Sequence, residues 1–131
     1  MSNNEFNLLI DEDNKCSCKG NNLDRLIQPA ILVILADNEL HGYSIIQELE
    51  LKNLFQGHPP DNTGIYRTLH IMEEKELLAS GWDIPETGSA KKIYKITEKG
   101  RICLKTWIKT LEQYKDTIDN ILKEAKRVCQ L

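Results

Sequence analysis

The chain has 131 residues, enough for one domain of ordinary size with a core of its own. Hydrophobic residues make up 40% and charged residues 28%, and no apolar run reaches the roughly 20 residues of a membrane-spanning helix, which excludes that class. The formal charge of −3, from 17 Lys and Arg against 20 Asp and Glu, excludes a uniformly basic coat.

Residues 1–21 are set apart by composition. Glu5, Asp11, Glu12 and Asp13 stand among Asn3, Asn4, Asn7 and Asn14, with no base in the first fourteen residues. An acidic arm of this kind is expected to be mobile and to avoid polyanions, although Phe6, Leu8, Leu9 and Ile10 could dock. It shows no secretory pattern, so a cytoplasmic location is expected. Four cysteines, Cys16, Cys18, Cys103 and Cys129, are then expected as free thiols rather than disulfides. Cys16-Ser17-Cys18 can bind a soft metal, but a tetrahedral zinc site needs about four ligands and usually wider spacing.

From residue 22 the pattern becomes helical. Leu23, Leu26, Ile27, Ala30, Ile31, Ile34 and Leu35 recur at i, i+3, i+4, i+7, a strongly apolar face. Pro29 would remove a donor inside a helix, so the regular helix is expected to begin near Gln28, with Asn22 to Ile27 as a separate turn. Asp37-Asn38-Glu39 ends it. Leu40-His41-Gly42-Tyr43 reads as a turn in which Gly42 supplies an uncommon backbone conformation. A second short helix puts Ile45, Ile46 and Leu49 inward. His58-Pro59-Pro60-Asp61-Asn62 breaks the chain and offers Asp61 or Asn62 as an N-cap.

The third helix, residues 63–72, has two opposed faces. Ile65, Leu69 and Met72 fall at i, i+4, i+7, the spacing of a core stripe. Thr63, Tyr66, Arg67 and His70 form a second stripe of donors and stacking groups without a carboxylate. A solvated face usually mixes both signs, so this stripe suits a polyanion, and a helix of this length fits a DNA major groove. Three successive helices ending in such a face are the skeleton of a helix-turn-helix.

A hairpin follows. Residues 77–84 and 91–96 read as strands, joined by the polar loop Pro85-Glu86-Thr87-Gly88-Ser89-Ala90. Lys91 and Lys92 sit beside its tip. Next to a recognition helix they read as phosphate or minor-groove contacts.

The segments His41-Gly42-Tyr43, Thr63 to Leu69, Met72-Glu73-Glu74-Lys75 with Leu77-Leu78, and Tyr94-Lys95-Ile96-Thr97-Glu98-Lys99-Gly100 resemble, in order and spacing, those of the PadR-like family. The resemblance runs from about Leu23 to the end. It implies a mainly α fold with a small β-hairpin wing: a winged helix-turn-helix domain over 22–96 and a long C-terminal dimerisation helix over 97–131. It also implies a homodimeric repressor that occupies an operator through the third helix and the wing. Carried over by position, Tyr66 and Arg67 match the family's helix tyrosine and its neighbour, and Tyr43 matches a tyrosine near the DNA backbone. Together with Asn62, Thr63, His70, Lys91 and Lys92 they are the expected DNA-binding residues. Glu76 departs from the pattern, since the family often has Gly there; a non-Gly residue in a left-handed cap costs about 1 kcal/mol. The Cys-rich opening followed by Asn21 to Pro29 is also similar to the branch described as polyhydroxybutyrate-responsive repressors, which names no ligand.

The last helix gives the dimer a physical basis. Thr97 suits an N-cap and Glu98 the first turn. Leu104, Trp107, Leu111, Tyr114, Ile118, Ile121, Ala125 and Val128 then step by 3, 4, 3, 4, a heptad seam that one small domain cannot cover alone. Ile108, Leu122 and Cys129 widen it, and Lys115 interrupts it. A monomeric hairpin with the first helix is the competing arrangement. Trp107 and Tyr114, in this seam, are the candidates to stack on a flat effector, the rest being dimer contacts. If the first helix packs on the partner's last, Cys129 could approach Cys16 and Cys18 of the other subunit and make a thiol site.

Charge placement permits DNA. Residues 91–109 hold seven bases against Glu98 alone, a local +6 within a chain that is acidic overall. Enzyme chemistry lacks its inventory. His41, His58 and His70 are the only histidines, read as turn, loop and groove contact, and no triad, phosphate loop or paired-carboxylate pattern accompanies them. No cofactor is expected. The competing function is a winged-helix dimer that senses thiol oxidants, soft metals or a ligand through protein partners with little DNA affinity.

Overall fold

A computed structural model describes residues 23–131, so the expectations for the acidic arm, Cys16 and Cys18 lie outside the described residues. Asp24–Leu26 form one 3-10 turn that leads into α1, Ile27–Leu35. Pro29 is the third residue of α1, in the first turn, where its missing N–H would have no intrahelical partner. This helix is the centre of the molecule: Ile27, Ala30, Ile31, Leu32, Ile34 and Leu35 are all buried. Each fully buried aliphatic side chain contributes roughly 1.5–3 kcal/mol of transfer free energy.

Leu40–His41 is a short strand, β1, rather than the expected turn, because its backbone pairs antiparallel with Tyr94 and Ile93. Gly42 accordingly does not supply an unusual conformation. It opens α2, Gly42–Leu51, without a positive φ. Ile45 and Leu49 enter the core and Ile46 is partly buried, as their spacing predicts. Beyond α2 the chain turns sharply through Asn53, Gln56 and Gly57, all at positive φ, and the Asn53 side chain accepts the Gly57 N–H at 2.8 Å. This turn buries Phe55 as an added core member that the periodicity did not show.

The third helix, α3, spans Asn62–Glu74, and a sharp turn leads into β2, Leu78–Asp83. Glu76 takes the left-handed conformation at φ 62° despite its side chain. The turn closes with Glu76 N–H to Glu73 O at 3.0 Å and Leu77 N–H to Met72 O at 2.9 Å, the bonding of a tight helix stop. β2 pairs antiparallel with β3, Lys91–Ile96, from Leu78 opposite Ile96 to Asp83 opposite Lys91. The sheet order is β1-β3-β2, so the hairpin has a third strand along the middle of β3.

The long helix α4, Glu98–Cys129, is capped by Thr97, whose Oγ1 accepts the Gly100 N–H at 3.0 Å. The same hydroxyl lies 2.7 Å from Glu76 O and 3.0 Å from Leu77 O, placing the start of α4 against the α3–β2 turn. Trp107 Nε1 donates to Gln28 at 2.8 Å and Arg101 to Ala36 O at 3.1 Å, tying α4 to both ends of α1. Cys103, Leu104, Trp107 and Leu111 are partly buried. From Glu112 to Leu131 every residue is exposed.

Candidate nucleic-acid interface

Asp61 caps α3: its Oδ1 accepts the Gly64 N–H at 2.7 Å. A Cβ at position 64 would stand 2.9 Å from that oxygen, so glycine leaves the cap its room. Pro59 and Pro60 stop any continuation from upstream. The inner stripe of Ile65, Leu69 and Met72 is buried to at most 1% exposure, which fixes the rotation of the helix about its axis. Asn62, Thr63, Tyr66, Arg67 and His70 consequently face outward, and all five are exposed. Arg67 makes no ion pair among the described residues.

The outer stripe extends further than its sequence reading, and its last turn changes character. Glu74 follows His70 by four residues, and its carboxylate lies 3.0 Å from His70 Nε2 with both side chains about two-thirds exposed. The helix runs to Glu74, so the donor-only surface is its first two and a half turns and not its whole length. Tyr66 is anchored as well as exposed. Its ring lies over Gly42, where a Cβ would come within 2.7 Å of Cε1. That close approach brings the start of α2 to α3, with Tyr43 next along, 65% exposed, its hydroxyl accepting from Gln47 at 3.1 Å.

The two wing lysines have different surroundings. Lys91 is exposed at the tip end of β3. Lys92 Nζ donates to Glu73 Oε1 of α3 at 2.7 Å and stands 5.3 Å from the centroid of the Tyr94 ring. Ser80 on β2 donates to the other oxygen of the same carboxylate. The hydrogen bond from Lys92, then that from Ser80, hold the Glu73 carboxyl below its ordinary value against the opposing effect of burial. Lys92 is raised in return, chiefly by the same hydrogen bond. Glu73 thus joins the end of α3 to both strands of the wing, a contact absent from the sequence reading. On the other face of the sheet His41 Nε2 lies 3.0 Å from Asp83 Oδ2, so His41 links β1 to β2 and is not a turn residue.

Trp107 and Tyr114 do not share one environment. Trp107 is half-buried with its indole N–H occupied by Gln28, whereas Tyr114 is exposed on the free part of α4. Cys103 is partly buried and Cys129 exposed, both as free thiols. Among the described residues no group of His, Cys, Asp or Glu could hold a metal, and no helix is long and apolar enough to cross a membrane.

Residues 31–106 match the family model described as the transcriptional regulator PadR-like family. The chain belongs to that family. PadR-like proteins recur among similar solved structures. The candidate transcriptional regulator TA0346 of Thermoplasma acidophilum is 27% identical with a TM-score of 0.67, over 77% of this chain and 94% of that one. Bacillus subtilis PadR in complex with operator DNA is 28% identical with a TM-score of 0.58; 63% of this chain aligns to 46% of that longer one. A PadR-like regulator of Bacillus cereus is 26% identical with a TM-score of 0.62, over 76% and 94% of the two chains. Among curated proteins no sequence match is found. PadR-like proteins are transcriptional regulators, not enzymes, and the winged helix with a long terminal helix seen here is the fold of that group.

Proposed function

We propose that this PadR-like protein is a homodimer that binds a palindromic operator and represses transcription from it in the cytoplasm. The observation that carries the reading is the uncovered outer stripe of α3, held outward by a fully buried inner one. Asn62 and Thr63 stand at the helix N-terminus, where free N–H groups favour phosphate. Tyr66, Arg67 and His70 face the bases, Tyr43 the adjoining backbone, and Lys91 a phosphate beside the wing. Lys92 supports the wing through Glu73 instead of contacting DNA.

The dimer rests on the bare half of α4. Tyr114, Ile118, Ile121, Leu122 and Val128 are 42–65% exposed along one continuous seam. An apolar groove of about 200 Å³ between α1, the loop at Leu54 and Phe55, and Leu111 continues that surface onto α1. A second copy related by a two-fold axis covers both, and its recognition helices then sit about 34–36 Å apart or a multiple of that. Repression follows the family resemblance, and release by a small molecule or stress signal at the α4 seam completes the reading.

The test is a gel shift on a duplex selected from a random-sequence pool, run across a salt series. Wild type is expected to bind with a steep salt dependence, and Arg67→Ala and Tyr66→Ala to weaken the shift. A wild type that selects no duplex ends the proposal.

A further inference from the structure

Trp82 is 66% exposed and Ile84 76%, in a hairpin otherwise polar at its tip. The register fixes where the indole lies. Leu78, Ser80 and Trp82 alternate onto one face of β2, opposite Ile96, Tyr94 and Lys92 of β3. That face is the one turned to α3, because Ser80 and Lys92 both donate to Glu73 there. Trp82, the partner of Lys92, is therefore the next side chain outward from the clamp, beside the recognition helix. It lies four residues, about 13 Å at strand rise, from the hairpin root at Leu78, beside which α4 begins, with the Thr97 N–H donating to Leu77 O.

Resting on the DNA-binding reading, we infer that the wing engages duplex DNA through the indole of Trp82, against the sugar wall of the groove beside the one α3 enters. The lysines frame this contact. Lys91 adds a phosphate contact from the opposite strand face, and Lys92 is a strut, because its charge is already matched by Glu73 at 2.7 Å. A broad apolar surface beside the Lys91 ammonium group suits deoxyribose faces bordered by phosphates. Continuity with the α3 stripe through Glu73 favours DNA over a second copy of the chain.

Trp82 and Trp107 are the two tryptophans, so fluorescence can follow each. The full-length protein is titrated with the selected duplex, and Trp82→Phe and Trp82→Ala are compared with wild type. The expected results are a DNA-induced emission change in wild type that Trp82→Phe loses, and roughly tenfold weaker binding by Trp82→Ala with an unchanged salt slope. Lys91→Ala should instead lower the slope by about 1. At its exposure Trp82→Ala is expected to fold, and an unaltered melting temperature checks that. If wild type binds while Trp82→Ala binds equally well, the inference falls alone; if wild type binds no duplex, the DNA reading falls with it. An emission change that tracks protein concentration without DNA and is lost in Trp82→Phe, which leaves Trp107 as the sole tryptophan, assigns the Trp82 indole to a second copy and also overturns the inference.

Discussion

Gly42 opens α2 with a backbone any residue can adopt, so its constraint is space: the Tyr66 ring occupies the volume of a Cβ. Gly42→Ala removes a flexible residue from a helix, a gain of up to about 1 kcal/mol, and displaces the ring at a comparable cost. The melting temperature should therefore move little while the gel shift weakens, which separates a role in presenting Tyr66 from one in folding. Glu73 can be read through pH. Its carboxyl is lowered from 4.5 and Lys92 raised from 10.5 by their mutual hydrogen bond. A depressed acid stabilises above its unfolded value and loses that as pH falls through the folded one; a raised base does the reverse at the alkaline end. Wild type should thus exceed Glu73→Gln in unfolding free energy by about 1 kcal/mol or less between pH 5 and 10, as for a partly exposed pair. Urea melts should show the difference fading below pH 4.5 and above 10.5. The two stripes of α3 were legible because a 3.6-residue period states which side is buried. The meeting of Glu73 with Ser80 and Lys92 was not, because it depends on strand register and on the angle between hairpin and helix, neither of which has a local signature.

Among the elements, the recognition helix, the wing strands and α4 followed from periodicity and caps: Asp61 and Thr97 do cap the helices they precede. β1 was missed because two residues carry no alternation, and its pairing is created by β3 some fifty positions later. The turn after α3 was expected to suffer from Glu76. It forms nonetheless, since two backbone bonds and the Thr97 hydroxyl on Glu76 O fix it from both sides. Gly100 shows the same junction from below. A Cβ there would land on the Leu77 carbonyl oxygen and within 2.8 Å of Ile96 Cγ1. Backbone cannot step aside as a flexible side chain can, so overpacking should outweigh the better helix propensity of alanine. Gly100→Ala is expected to lower stability by about 2 kcal/mol or more, read as a reduced urea midpoint with the m-value unchanged.

For the whole molecule, the uneven burial of α4 decides the assembly expected. Its first turns pack on α1 and its last twenty residues are all exposed, packed on no other element among the described residues. Equilibrium sedimentation at micromolar concentration should give twice the chain mass. Ile118→Lys, 63% exposed in one chain, should leave the fold intact and shift the protein toward monomer. A wild type that stays monomeric would refute the dimer. On the proposed function, the acidic total charge should keep binding to DNA at large weak. The anchoring of α4 at one end carries a mechanical implication. A rod of 32 residues, about 48 Å long, is pinned near its base to α1 and to the α3–β2 turn. Pivoting the arm beyond Trp107, about 33 Å long, by about 5° sweeps its free tip through about 3 Å. If two copies pair through these rods as proposed, a small ligand wedged between them would re-space two distant α3 helices without approaching either.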